Sequence, residues 1–337
     1  MNQAGLFDWQ VRFEQLEDGG DPLVKLNQVV RWELFRKDLE KMRTKDRQSN
    51  AGRKPFDVIL MFKMLILQSL YNLSDDQIEF QVRDRLSFMR FLGLSLQDTV
   101  PDAKTVWLFR EQITQARLIK KVFDRFDRFL RQQGFAAKKG QIIDASIVQA
   151  PRQRNRRDEN QQIKSGQIPQ DWSENKKRQK DTDARWFRKA GRDHYGYKNH
   201  IEVDAKNKLI RKYEVTPASV HDSNVFEELL DDQNSSCDVW GDSAYAGHER
   251  SAILKSRGFR DRRHRKGCRQ RKLTEREKRG NHTRSKIRCR IEHVFGVQAQ
   301  RAGNLIVRTI GLVRAKAKIG LRNIAYNVDR YSLLATS

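Results

Sequence analysis

The 337-residue sequence is poor in several things at once. It has 3 cysteines and 6 prolines. An odd, widely spaced set (Cys237, Cys268, Cys289) does not form a disulfide framework and fits free thiols in a reducing cytoplasm. The longest strongly apolar stretch, Val58 to Leu67, is too short to cross a bilayer and carries Lys63, so no membrane span is expected. The N-terminus, MNQAGLFDWQ, lacks a basic start followed by an apolar core, so no signal peptide is expected. Internal repeats and long Gly/Ser or Pro-rich linkers are missing too. Acidic residues are scarce relative to basic ones: 43 Asp+Glu face 68 Lys+Arg, a net charge of +25. A chain this basic is drawn to polyanions, most commonly nucleic acid. With 17 Phe and 6 Trp spread along it, it has the material for folded cores.

Residues 1–50 read as an N-terminal helical segment, with Leu26, Val29, Val30, Leu34 and Leu39 at helical spacing over 24–42. Residues 51–134 read as all helix. Pro55 suits a first turn, Asn72-Leu73 breaks a helix over 56–71, Ser74 with Gln77 makes a capping box, and Asp102 caps a further helix. Leu118, Ile119, Val122, Phe123, Phe126 and Phe129 line one face of the next. Short helices on tight turns suit a DNA-binding domain and equally a plain bundle. The texture changes at Gly134, and residues 135–337 form a second domain with basic insertions at 151–193 and 259–286. The first insertion reads as loop-rich. Strands are expected at 139–148, at 200–204 and 209–215 as a hairpin, and at 236–244, with helices over 245–258, 284–300 and 311–334. The order gives an α/β fold: a ribonuclease-H-like mixed sheet flanked by helices, preceded by an all-α N-terminal domain.

Three carboxylates stand out because each sits among apolar residues. Asp144 follows Ile142 and Ile143, Asp242 follows the strand through Val239, and Glu292 lies between Ile291 and Val294 beside a dense run of arginine. A buried, unpaired carboxylate is costly unless a cation offsets it. Converging oxygen ligands acting on phosphate favour Mg²⁺, with Mn²⁺ as a substitute, and a pair of such ions can serve hydrolysis. A plain reading stays open for each: Asp144 as a strand-end turn, Asp242 as a helix cap, Glu292 paired with Arg288. Among competitors, Asp222 reads as an N-cap and Asp204 as the edge of the hairpin turn.

Residues 250–290 hold 18 Lys/Arg against 3 Asp/Glu, including Arg262, Arg263, Arg265, Lys266, Arg269, Arg271 and Lys272. This density between two proposed ligands points to phosphate contact. Residues 152–192 hold 13 Lys/Arg against 6 Asp/Glu, with Lys176, Lys177 and Arg178 as further DNA-binding candidates. Trp172, Trp186 and Phe187 among them read as anchors of a small core in preference to base-stacking platforms. His264, Cys268, His282 and Cys289 match no strong zinc template.

Several stretches resemble the DDE transposases of bacterial insertion sequences, in particular the insertion-sequence-five family: IIDASIVQAPRQRN, GYKNHIEVD, VTPASVHDS, GDSAYAG and RCRIEHVFG, with RKPFDVILMFKMLILQSLYNL and VPDAKTVWLFREQI earlier in the chain. The likeness covers about residues 50 to 330. It implies that Asp144, Asp242 and Glu292 are the catalytic, metal-binding triad, that Mg²⁺ is the metal, and that double-stranded DNA is substrate as inverted-repeat ends and as target. It also implies a homodimer bridging two ends and a bacterial, nucleoid-associated location. Related transposases carry a Tyr-Arg-Glu-Lys signature. Here Arg288 fills the Arg position, one turn from Glu292, where it can orient that carboxylate or contact a DNA phosphate; Ser285 and Ala299 stand at the Tyr and Lys positions, so those two roles do not transfer. A non-catalytic DNA-binding protein of the same fold, or a ribonuclease-H-like nuclease without strand transfer, is the alternative.

Overall fold

The computed structural model describes residues 8–43, 54–189, 191–267, 269, 271–303 and 306–336; Cys268 lies outside them. The chain divides into two compact units, one built from residues up to Phe126 together with the segment from Leu321 onward, the other from Asp127 to Gly320.

The first unit is helical: α1 (Asp8–Asp18), α2 (Pro22–Val29), α3 (Arg36–Glu40), α4 (Val58–Tyr71), α5 (Asp75–Asp84), α6 (Leu86–Leu92), α7 (Ala103–Gln115) and the start of α8 (Leu118–Gln132). Helix α4 is its centre, since an apolar sequence on all sides demands burial all round. Asp57 caps it by accepting from Ile59 and Leu60 N–H, and Asn72 ends it in the left-handed conformation (φ 52°). Pro55 therefore lies before the helix and not in its first turn. The Ser74/Gln77 capping box and the Asp102 cap form as expected. The helix expected over 24–42 is broken. Val30 is extended and Trp32–Phe35 make a 3₁₀ turn, which puts Trp32 and Phe35 on one side. Trp32 then packs edge-on to Phe91 (5.5 Å) and Phe35 against Phe62 (4.9 Å), so aromatic packing overrides the helical period.

The second unit holds the sheet: β1 (Gln141–Gln149), β2 (Arg185–Lys189), β3 (Arg192–Asp204), β4 (Ile210–Pro217), β5 (Asp238–Gly241) and β6 (Arg260–Asp261). Its helices are α9 (Arg157–Lys164), α10 (Glu174–Gln179), α11 (Phe226–Leu229), α12 (His248–Ser256) and α13 (Glu275–Ala302); α14 (Leu312–Ala335) starts in this unit. The strand order is β2-β3-β1-β5-β6, with β4 also on β3. Strands β1, β3 and β4 are antiparallel, while β5 is parallel to β1 and β6 to β5. This is the mixed, ribonuclease-H-like sheet expected from the element order. Ile143, Val225, Phe226, Leu229, Val239, Tyr245 and Leu254 make a buried core under it.

Two strand readings change. β3 begins at Arg192, and RWFRK, expected in a loop-rich stretch, is β2 paired with the start of β3. Its charged residues hid it, because an edge strand tolerates them. Trp172 is buried and donates Nε1–H to Glu159 (2.7 Å), as an anchor should. Trp186 is 47% exposed, lying on Tyr195 instead of inside a core. Gly140 leads into β1 with φ +85°, and a Cβ there would lie 2.3 Å from the Trp240 ring and 2.6 Å from the Asp238 carbonyl oxygen. Only glycine fits both conditions. No helix among the described residues is long and apolar enough to cross a membrane.

Candidate active site

The sheet register brings the first two candidate carboxylates together. Ile142 pairs with Trp240 and Ile143 with Gly241 in the parallel β1–β5 ladder. The next residue on each strand is Asp144 and Asp242, so the two lie side by side where β5 ends. Asp144 is mid-strand in β1 and not a strand-end turn residue. Asp242 caps the short turn Ser243–Tyr245, its Oδ1 accepting from Ala244 N–H (2.8 Å). That does not exclude a ligand role, because its second oxygen is outside that bond.

Helix α13 packs against β1 and β5 and supplies the third residue. Arg288 joins the elements: Nη1 donates to Asp144 Oδ2 (3.0 Å) and Nη2 to Glu292 Oε1 (2.6 Å). The i,i+4 spacing on one helix face makes the second contact possible. Glu292 is more exposed than Asp144, with 58% against 18% side-chain exposure. The helix begins earlier than expected, at Glu275, because Thr274 and Glu277 form a capping box.

Electrostatically the cluster is short of positive charge. Burial pushes the Asp144 carboxyl up to about 6, and the charge of Asp242 adds to this; the Ala145 N–H and Arg288 act the other way. Tyr245, buried next to the cluster, is raised well above its ordinary value by burial and by Asp144, Asp222 and Asp242, and its hydroxyl has no hydrogen-bond partner among the described residues. The donor set is all carboxylate oxygen, which fits a hard divalent ion. Among the described residues no three acidic, His or Cys side chains are gathered closely enough to form a ready-made metal cage. Arg288 stands between Asp144 and Glu292 and supplies the cation that links them.

Further charged residues of this unit differ from the sequence reading or were missed by it. Asp222 was expected to cap a helix. Instead His221 caps, its Nδ1 accepting from Ser223 N–H, and Asp222 pairs with the buried Lys198 (2.8 Å). Lys198, His200, Glu202 and Asp204 alternate along β3 and are all buried. That alternation of charge inside a buried strand was the available signal. His264 also reaches the site, because the backbone hydrogen bonds to β5 continue beyond β6, through Arg262 N–H to Val239 O and on to His264. His264 N–H donates to Gly241 O (3.0 Å), next to Asp242, and its ring meets Ser285. Burial and the nearby Arg288 lower its affinity for a proton.

The basic candidates separate by surroundings. Arg263 is buried, with its guanidinium held by Asp261, Ser251 and the Tyr245 carbonyl, so it serves the fold. Arg262 pairs with Asp238, and Arg265 and Arg271 share Glu277. Lys176 pairs with Glu159 and Lys177 with Glu174. Lys266, Arg269, Lys272 and Arg178 are exposed.

Two family profiles match the sequence. "Transposase domain (DUF772)" matches residues 11–112, and "Transposase DDE domain" matches residues 136–328. A solved structure titled as a piggyBac transposase synaptic complex with hairpin DNA is similar at 12% identity, with a TM-score of 0.46, over 94% of this chain and 76% of that one. The second profile spans more than half of the chain, including all three carboxylates, and the chain belongs to the DDE transposase family of insertion-sequence type.

Proposed function

We propose that this transposase binds the inverted-repeat ends of an insertion element, of the insertion-sequence-five kind, cleaves phosphodiesters there and joins the freed 3′-OH ends to target DNA. Asp144, Asp242 and Glu292 are its catalytic carboxylates. The supporting observation is the β1–β5 register that sets Asp144 beside Asp242, together with the single guanidinium of Arg288 that ties Asp144 to Glu292. The carboxylates would hold Mg²⁺ (or Mn²⁺), which as a metal pair supplies Lewis acidity toward phosphate and a lowered pKa for bound water.

In the first step a water oxygen bonds to phosphorus, the P–O3′ bond breaks, and the products are a 3′-OH and a 5′-phosphate. In the second step that 3′ oxygen attacks a target phosphodiester and displaces the target's own 3′ oxygen. Both are in-line displacements, so one site serves both. Arg288 keeps Asp144 and Glu292 oriented, and the exposed Lys266, Arg269, Lys272 and Arg178 contact DNA phosphates. A homodimer bridging two ends, in the bacterial cytoplasm on nucleoid DNA, completes the reading.

The test uses a duplex carrying the inverted repeats that flank the gene, a target plasmid, and Mg²⁺, Mn²⁺ or EDTA. Cleaved ends joined to target with either metal, and none in EDTA, are expected. Tight binding to the repeats without any cutting in either metal would favour the non-catalytic DNA-binding alternative.

A further inference from the structure

The basic segment following β6 is folded around a cleft. Its volume is about 370 Å³, and its wall includes His248, Arg265, Lys266, Arg271 and Arg284. Ala246 and Gly247, just past the Asp242 turn, form one rim. The walls are fixed by an acidic residue inside the basic run. Glu277 is buried and accepts from Arg265 Nη1 (3.1 Å), Arg271 Nη2 (2.8 Å) and Thr274 N–H (3.0 Å). The Thr274 N–H and Arg265 hold its carboxyl down at about 2, so it stays charged. Asn281 clips the segment to α13: its Oδ1 accepts from Arg265 N–H (2.9 Å) and from Arg284 Nη1 (3.1 Å), and its Nδ2 donates to Arg265 O (2.9 Å).

The lining has a surplus of positive charge. Asp261 neutralises Arg263. Arg265, Lys266, Arg271 and Arg284 then face one remaining carboxylate, Glu277. Arg284 is half-buried and has no ion-pair partner among the described residues. Burial and the nearby Arg265 and Arg262 lower its pKa, so its charge is held at a cost that an anion would relieve. The volume exceeds that of a phosphate alone and leaves room for an attached sugar.

We propose that this cleft is a phosphate-binding site adjoining the carboxylate cluster through His264, in which Arg265, Arg271 and Arg284 hold a backbone or terminal phosphate of DNA and Glu277 is the positioning residue. The proposal rests on the reading of DNA as substrate. Free polyphosphate shares the chemistry, so the experiment compares the two sources.

Calorimetry on the full chain in EDTA measures pyrophosphate binding, and a labelled repeat duplex measures competition. Binding by wild type, displacement by the duplex, and roughly tenfold weaker binding by Arg271→Ala and by Arg284→Ala are expected, since each removes a charge-assisted bond. Arg271 is a 70% exposed side chain, so its truncation does not threaten folding. Glu277→Gln should lose pyrophosphate affinity while its melting temperature stays near wild type. Asp144→Asn should bind pyrophosphate normally. Unchanged affinity in both arginine variants overturns the site, pyrophosphate that the duplex fails to displace overturns its assignment to DNA, and a folded Glu277→Gln with wild-type affinity overturns the positioning role. No readout involves cleavage, so an inactive triad would count against the preceding reading and not this one.

Discussion

Asp144 and Asp204 lie on paired strands of one sheet and are both largely buried, yet they live in opposite surroundings. Asp204 accepts from Asn207 N–H (2.7 Å), from Leu209 N–H (3.3 Å) and from Arg211 Nε (3.2 Å). Arg211 in turn holds Asp127 (2.8 Å) and the Phe135 carbonyl, and Arg131 links Asp127 to Asp231 (3.0 Å). In that network three carboxylates share two guanidinium groups, so burial raises the Asp204 carboxyl too, but both of its oxygens are held by donors inside the fold. Asp144 has one backbone N–H, its neighbour is another carboxylate, and a single arginine is shared with Glu292. The same residue type is a structural tie in one place and an open electrostatic deficit in the other. Where a fold leaves carboxylates undercompensated next to a surface, a cation or substrate is the expected remedy.

The comparison can be broken first at the Asp204 network. Asp204→Ala takes one of the two carboxylates from the buried Arg211 guanidinium and leaves the Asn207 and Leu209 N–H groups without their acceptor, and should cost about 3–5 kcal/mol of stability in denaturant unfolding. Asp144→Asn should cost little or even stabilise, because it removes a charge that burial disfavours. Equal losses in the two variants would erase the distinction. Gly140→Ala, which forces a Cβ onto Trp240 and Asp238 at positive φ, should lose about 1–3 kcal/mol by the same measurement without touching either network.

His200 sharpens the comparison by pH. Burial lowers its pKa to about 4, and neither its uncapped Nδ1 nor the Asp222 charge offsets this. Between about 6.5 and 4 the unfolded chain takes up a proton that the folded chain refuses, so stability is full above 6.5 and falls as the pH drops through that window. The loss should reach about 2–3 kcal/mol, and His200→Gln should flatten that part of the profile. The smallest effects belong to the surface. Lys266→Ala should lower the salt dependence of DNA binding by about one unit of log–log slope with no change in melting. Arg263→Ala, whose guanidinium faces inward, should melt earlier.

How far the sequence carried depended on how local the cause was. Ser74 with Gln77, Asp102 and Asn72 act within one turn of themselves, and all three did what their type predicts. Asp144, Asp242 and Glu292 could be picked out because a charge in an apolar run is anomalous wherever the chain goes. What brings them together, the β1–β5 register and Arg288 reaching from α13, depends on residues about a hundred or more positions apart. Asp222 shows the limit. Its N-cap reading was sound locally, but Lys198, 24 residues away, claims the carboxylate and His221 takes over the cap. β2 was missed because edge-strand charges look like a loop, and Arg263 looked like its exposed neighbours until Asp261 and Ser251 folded around it.

The central claim is that these three carboxylates perform the chemistry and do not hold the fold. It is tested by cleavage of the repeat-bearing duplex in Mg²⁺ by Asp144→Asn, Asp242→Asn and Glu292→Gln, each checked for wild-type melting and DNA affinity. The account predicts that each variant binds DNA and cuts at least about a thousandfold more slowly, a loss of about 4 kcal/mol in transition-state stabilisation. A folded variant that cuts at the wild-type rate would contradict it.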